Sequence, residues 1–304
     1  MKNFINYYYN FNIHNIYFSN EKYFFDNDKI RYVLKLCYNL DISSYYYELE
    51  RQLEKYKYFF AIILNRENNY ITWIEGKPYI LLKVGNINNE KISVFDIKNN
   101  YFIEISSKLS MINRFPWIKL WENKIDYFEE WLFVKQEGYK KIYPLFHYFV
   151  GIAENALLYL KESEREEVKE QSDQLVVSHD RLGINYELYD YYDPSNIIID
   201  HASRDISEYI KSMFLYKIWD LDLINQYLKK QYFSRYGIRI LLARILFPSF
   251  FFDYLERMIT NNSDIDLLYL ESRVAEFQSF IKDICLFFYE NYNIPMIPWI
   301  IKKT

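Results

Sequence analysis

Glycine is scarce here: six in 304 residues, and none before Gly76. A glycine-rich loop that brings backbone amides close against a phosphate is therefore absent from the first part of the chain. Cysteine is scarcer. Cys37 and Cys285 lie far apart, each among apolar residues, and no zinc-ligand spacing occurs. Two buried free thiols are expected, and a reducing compartment fits them. There is no internal repeat and no low-complexity linker. A dominant charge sign is missing as well. The net charge is −4 without a long basic run, so nothing points to nucleic acid. The first residues lack a basic-then-apolar signal pattern. The most apolar run, residues 142–160, contains Pro144, His147, Glu154 and Asn155. Polar groups at that depth are costly in lipid, so the run reads as a buried helix and not as a membrane span.

Apolar side chains are plentiful. They make up 51% of the chain, which excludes disorder, and 304 residues suffice for one large or two ordinary domains. The 33 Tyr and 24 Phe rise together with Asn, Ile and Lys, the pattern of an AT-rich coding bias. Tyrosine tolerates a half-buried position with its hydroxyl wet, so this composition does not demand insolubility.

Strand signals dominate the first third. Residues 21–25 and 29–37 read as a hairpin about the polar turn 26–28. Residues 59–64, 70–74 and 79–84 are further strands, residues 11–18 an edge strand, and residues 92–97 and 102–105 another hairpin. One helix is expected over 45–56, capped from 41–44, with Tyr46, Leu49, Leu53 and Tyr56 on one face. Helical periodicity then takes over at 124–135 and 146–160, and at 205–218, 220–232, 238–246, 250–259 and 264–289. Residues 161–170, KESEREEVKE, read as a solvated helix end.

The centre of the chain is residues 172–210, SDQLVVSHDRLGINYELYDYYDPSNIIIDHASRDISEYI. A short strand leads into Ser178, His179 and Asp180; Asn185 follows at a spacing of five; a second strand ends in Asp200. Histidine–aspartate, a later asparagine and an aspartate closing a strand are the groups a kinase site uses to orient a hydroxyl and hold magnesium on phosphates. The bland reading is a polar loop whose Ser, Asp and Asn cap nearby backbone.

On these residues the chain resembles the kinase-like fold of aminoglycoside and choline phosphotransferases, whose signature is HGDxxxxN followed by a strand ending in ID. FHYFVGIAENALLYL (146–160), IIDHASRDISEYI (198–210) and LLARILFPSFFF (241–252) make it similar to the spore-coat branch of the CotS and YutH type. The resemblance implies an α+β, protein-kinase-like two-lobed fold: a small antiparallel β lobe with one helix over residues 1–86, and a larger, mainly helical lobe over 87–304. Residues 83–86 would form the hinge. It implies Asp180 as base, Asn185 and Asp200 as magnesium ligands, Lys35 as the clamp on the nucleotide phosphates, and Glu48 or Glu50 as the partner that fixes Lys35.

The motif departs from the enzyme pattern in having HD where the enzymes have HGD. Two alignments stay open. Aligning His179 puts Arg181 on the catalytic aspartate and kills the site; aligning Asp180 preserves the chemical types and leaves one residue missing. Two functions follow from the resemblance. One is a catalytically degenerate, kinase-like spore coat or sporulation-associated protein with a structural or assembly role, made in the cytoplasm, assembled on the spore surface and partnered by other spore coat proteins. The other is an active phosphotransferase on a small molecule, with ATP and Mg2+ as cofactors.

Overall fold

The strand alternation read around residues 22–36 starts a sheet that runs through the small lobe. The computed structural model describes residues 1–84, 87–134, 140–261 and 266–301. Strands β1 (Tyr17–Ser19), β2 (Lys22–Asn27), β3 (Ile30–Leu36), β4 (Ala61–Ile63), β5 (Thr72–Ile74) and β6 (Lys77–Val84) form one antiparallel sheet in the order β1-β2-β3-β6-β4, with β5 also on β6. The shortage of glycine shows in its turns. Asn20–Glu21 and Asp28–Lys29 close the first two hairpins with φ of 48°, 61°, 50° and 65°. Such paired left-handed turns match the twist of the strands, but they favour Asn or Asp followed by Gly.

Because side chains alternate along a strand, the sheet has two distinct faces. Phe25, Tyr32, Leu34, Tyr79 and Leu81 point to the back, where helix α1 (Lys2–Tyr9) covers them with Ile5 and Tyr9. Phe24, Val33, Ile80 and Leu82 point to the front and join the main core. Helix α2 (Ile42–Leu53) packs there through Tyr45, Tyr46 and Leu49. Helix α1 was not legible as a helix: its run of Asn and Tyr has weak propensity, and packing on the sheet decides the outcome. It ends at Asn10 in the left-handed conformation, and of the edge strand expected at 11–18 only Tyr17 and Phe18 fall in a strand, which runs on to Ser19.

The larger lobe is built on helices. These are α3 (Trp117–Val134), α4 (Tyr143–Glu166), α5 (Leu188–Tyr191), α6 (Ser203–Leu215), α7 (Leu221–Lys230), α8 (Arg235–Leu246), α9 (Ser249–Asn261), α10 (Leu267–Tyr292) and α11 (Pro298–Ile301). Helix α8 is buried on all sides, with α4, α6 and α10 against it. Ser234 caps it by accepting from the Gly237 amide, and Pro248 follows its end as the sequence predicts. Strands β7 (Leu175–His179) and β8 (Ile197–His201) form a separate antiparallel pair.

The hairpin expected at 92–97 and 102–105 does not form. Ser93 and Asp96 instead make a reciprocal cap on a single 3-10 turn, Val94–Asp96, and Phe102 contributes one bridge to Val176. The expected hinge falls partly on residues 85 and 86, outside the described residues. Among the described residues no helix is long and apolar enough to cross a membrane. Lys29 carries a Cβ in a left-handed turn position that favours glycine. Lys29→Gly should raise stability by about 0.5–1 kcal/mol in urea denaturation; a loss would contradict the turn geometry.

Candidate active site

Asp180 follows β7 directly, and Asp200 sits within β8. Helix α6 starts at Ser203, so its first turn carries Arg204 back over both strands. The Arg204 guanidinium donates from Nε to the His179 carbonyl at 3.0 Å, from Nη1 to Asp200 at 3.0 Å, and from Nη2 to Asp180 Oδ1 at 3.0 Å. One side chain thus ties together both expected carboxylates. Their surroundings differ. The Asp180 side chain is 70% exposed, whereas Asp200 is fully enclosed.

Asp200 receives more than Arg204. Arg244 on α8 donates to Oδ1 and Oδ2 at 2.8 and 2.7 Å, and the Trp117 indole donates to Oδ1 at 2.6 Å. The Arg244 guanidinium also stacks on the Trp117 ring at 3.8 Å. Burial pulls Arg244 down to about 10, against the pull of Asp200. Both oxygens of Asp200 are occupied by resident donors, so this residue does not fit the expected role of magnesium ligand. A metal would have to displace both guanidinium groups, and Arg244, whose hydrogen bonds here all go to Asp200, would be left with a buried charge.

Lys35 projects from the front face of β3. Its expected partner, Glu48, is not the one it meets: Glu48 pairs with Arg51 on its own helix at 2.9 Å, and Glu50 accepts from the Tyr46 hydroxyl. Lys35 instead donates to Asp193 at 2.5 Å and approaches Ser195 Oγ at 3.3 Å. Burial lowers the Lys35 ammonium, but Asp193 and Asp190 outweigh that and raise it above the ordinary range. Asp193 is the site residue that the sequence reading missed. Its signal was Asp193-Pro194-Ser195, which reads as a turn: the carboxylate caps the Ser195 amide at 2.8 Å, and the following proline restricts the backbone before β8.

Asn185 is exposed and accepts from Lys91 at 3.0 Å. It shares with Lys35 an open cleft of about 480 Å³, lined also by Lys22, Glu187, Asp190 and Asn196. Asp180 and Asp200 are not among the lining residues. The structure therefore brings Lys35 and Asn185 to one cleft, joins Asp180 to Asp200 through Arg204, and pairs Glu48 with Arg51 instead of Lys35. Among the described residues, no three His, Cys, Asp or Glu side chains gather as a metal site. His179 holds the loop in place, with Nδ1 2.8 Å from Asp205 and Nε2 2.8 Å from the Tyr191 carbonyl.

Arg181 leaves the strand on the far side. It makes two 3.1 Å contacts with Asp253 and lies 3.7 Å from Glu208. Glu208 also pairs with Lys211 at 2.5 Å. Burial pushes the Glu208 carboxyl up, but Lys211, Arg181 and Arg204 outweigh it and bring it to about 2. Lys211 shifts down because burial exceeds the help of its one carboxylate partner. A depressed carboxyl stabilises the fold above its unfolded value near 4.5, and that share is lost as pH falls toward 2. Glu208→Gln should therefore lose roughly 2 kcal/mol less stability than the parent between pH 7 and pH 3. Chemical denaturation at the two pH values measures this; equal losses would refute it. Arg244→Met leaves Asp200 short of a buried partner and should cost about 3–5 kcal/mol. A cost below about 1 kcal/mol, read from urea melts, would contradict the enclosure.

Comparison with known proteins gives the family and the fold. The family model described as "Spore coat putative kinase YutH" matches residues 2–287. The endospore coat-associated protein YutH of Bacillus subtilis (strain 168) is 26% identical over 239 residues, covering 70% of this chain and 68% of that protein. Among solved structures, an aminoglycoside phosphotransferase from Alicyclobacillus acidocaldarius superposes with a TM-score of 0.58 at 12% identity, over 91% of this chain and 92% of that one. A spectinomycin phosphotransferase in complex with ADP and spectinomycin superposes at 0.51 and 11% identity, over 93% and 92%. Those likenesses establish the two-lobed, kinase-like fold alone. With a family model spanning nearly the whole sequence and a sheet, helix and strand pair that fit it, the chain belongs to the spore coat YutH family.

Proposed function

We propose that this chain is a catalytically degenerate kinase-fold protein with a structural or assembly role in the spore coat, where other coat proteins are its partners. In this reading residues 1–86 are the small lobe and residues 87–304 the helical lobe. The protein is made in the cytoplasm and assembled on the spore surface. The observation that carries the reading is the filling of the space beneath the sheet, where a two-lobed kinase takes its nucleotide. Tyr189 and Tyr192 pack against the front-face residues: Tyr189 lies 6.1 Å from Phe24 and 5.7 Å from Phe60, and Tyr192 lies 6.3 Å from Phe60. All four rings are buried. A base entering there has to expel aromatic side chains that already bury their own apolar area.

Two further features support it. The β1–β2 turn is Asn20–Glu21, so a carboxylate-bearing residue stands beside the cleft where a kinase would present amides to phosphates. Asp200 is sealed by Arg204 and Arg244. One observation favours the alternative, an active ATP- and Mg2+-dependent small-molecule phosphotransferase: Lys35 and Asn185 do line one polar cleft, with Asp193 on the lysine. Asp180 would then be the base.

A thermal-shift titration with Mg-ATP decides between them. The degenerate reading expects no measurable stabilisation. Ligand present at a hundred times its dissociation constant would add about 2.7 kcal/mol, so a shift of that order at millimolar Mg-ATP, with phosphate transfer lost in Asp180→Ala, would overturn it.

A further inference from the structure

The register of the first hairpin places Lys22 directly opposite Lys35 on the cleft face of β2 and β3. Like charges in directly opposed positions destabilise a strand pair. Both ammonium groups are largely withdrawn from water, with side chains 14% and 13% exposed. They need anions, and one short segment provides both. Asp190 reaches Lys22 at 2.7 Å, and Asp193 reaches Lys35 at 2.5 Å.

The same segment is anchored to the small lobe and its neighbouring loop by other means. The Phe60 amide donates to the Tyr192 carbonyl at 3.0 Å, and the Lys98 amide donates to the Tyr191 hydroxyl at 3.2 Å. Asn89 accepts from the Tyr189 amide at 3.1 Å and donates to Glu187 at 2.7 Å. The other side of the segment is held by the helical lobe, where the Tyr191 ring stacks on His179 at 4.5 Å. Open clefts of about 480 and 240 Å³ border it. A charge-matched element bonded to both lobes, with open space alongside, is placed as a bound molecule would be.

We propose that residues 187–196 are a built-in ligand of the interlobe cleft: a strap whose Asp190 and Asp193 neutralise the Lys22–Lys35 pair and hold the lobes closed. Undocking the strap is what opens this molecule. The inference rests on the reading of the cleft as non-catalytic and goes beyond it, because it assigns the occupant and the opening step.

Residue-resolved hydrogen exchange on the full chain tests it, comparing the parent with Asp190→Asn/Asp193→Asn. These replacements keep the side-chain shape and strand the two lysines. The amides of Phe60 and Lys98, which are given to the strap, should exchange at least about tenfold faster, together with those of Leu188 and Tyr189. Helices α4 and α8 should keep their protection. Faster exchange confined to residues 187–196, or no change, overturns the proposal. If the double variant does not fold, Lys22→Met removes one of the two ion pairs and carries the same expectation. Adding Mg-ATP to the parent separates the two readings: nucleotide-dependent protection there counts against the inert cleft, whereas strap-confined exchange in the variants counts against the strap.

Discussion

Arg204 is the group on which the central architecture depends. A single guanidinium accounts for the end of β7, the buried carboxylate of β8 and the first turn of α6 at once. Its planar fork presents donors in fixed directions, which a lysine in the same position could not reproduce. The buried charges around it form one linked system. Arg244 shares Asp200, Glu208 lies close enough to help hold both Arg204 and Arg181 charged, and Lys211 leans on Glu208. Removing any one member leaves its partner charged in the core, so the system resists piecemeal change.

That resistance bears on function. In a phosphoryl-transfer site the cations are meant to arrive with the nucleotide. Here the chain brings its own: two arginines on Asp200, and one of them also on Asp180. The small lobe repeats the arrangement in the opposite sense. Two lysines that could face a polyphosphate face two aspartates of the same chain. Charge balance and apolar filling are both completed internally, and this is the physical content of the proposed degenerate reading.

Much of the fold was legible because its periodicities are strong. The hairpin at 22–36, helix α8 with the proline after it and the strand that carries Asp200 all lie close to where alternation and capping rules put them. The rest was decided by long-range packing. Nothing local to KNFINYYY says helix; the back of the sheet does. The pairing of Lys35 was harder still. Glu48 and Glu50 lay on the one helix expected in the small lobe, whereas Asp193 sits 158 residues away, just before a proline. Likewise, Asp200 looked like a metal ligand because its strand context was right, and nothing local announces that Arg244, 44 residues further on, reaches both its oxygens.

The two thiols have a consequence of their own. Cys37 is buried in the small-lobe core and Cys285 in α10, and burial pushes the Cys285 thiol up to about 12. Neither is a ready nucleophile in the folded state. Covalent attachment through sulfur to a surrounding protein shell is therefore closed to this molecule while it stays folded, and alkylation of either position becomes a clock for unfolding rather than a map of its surface.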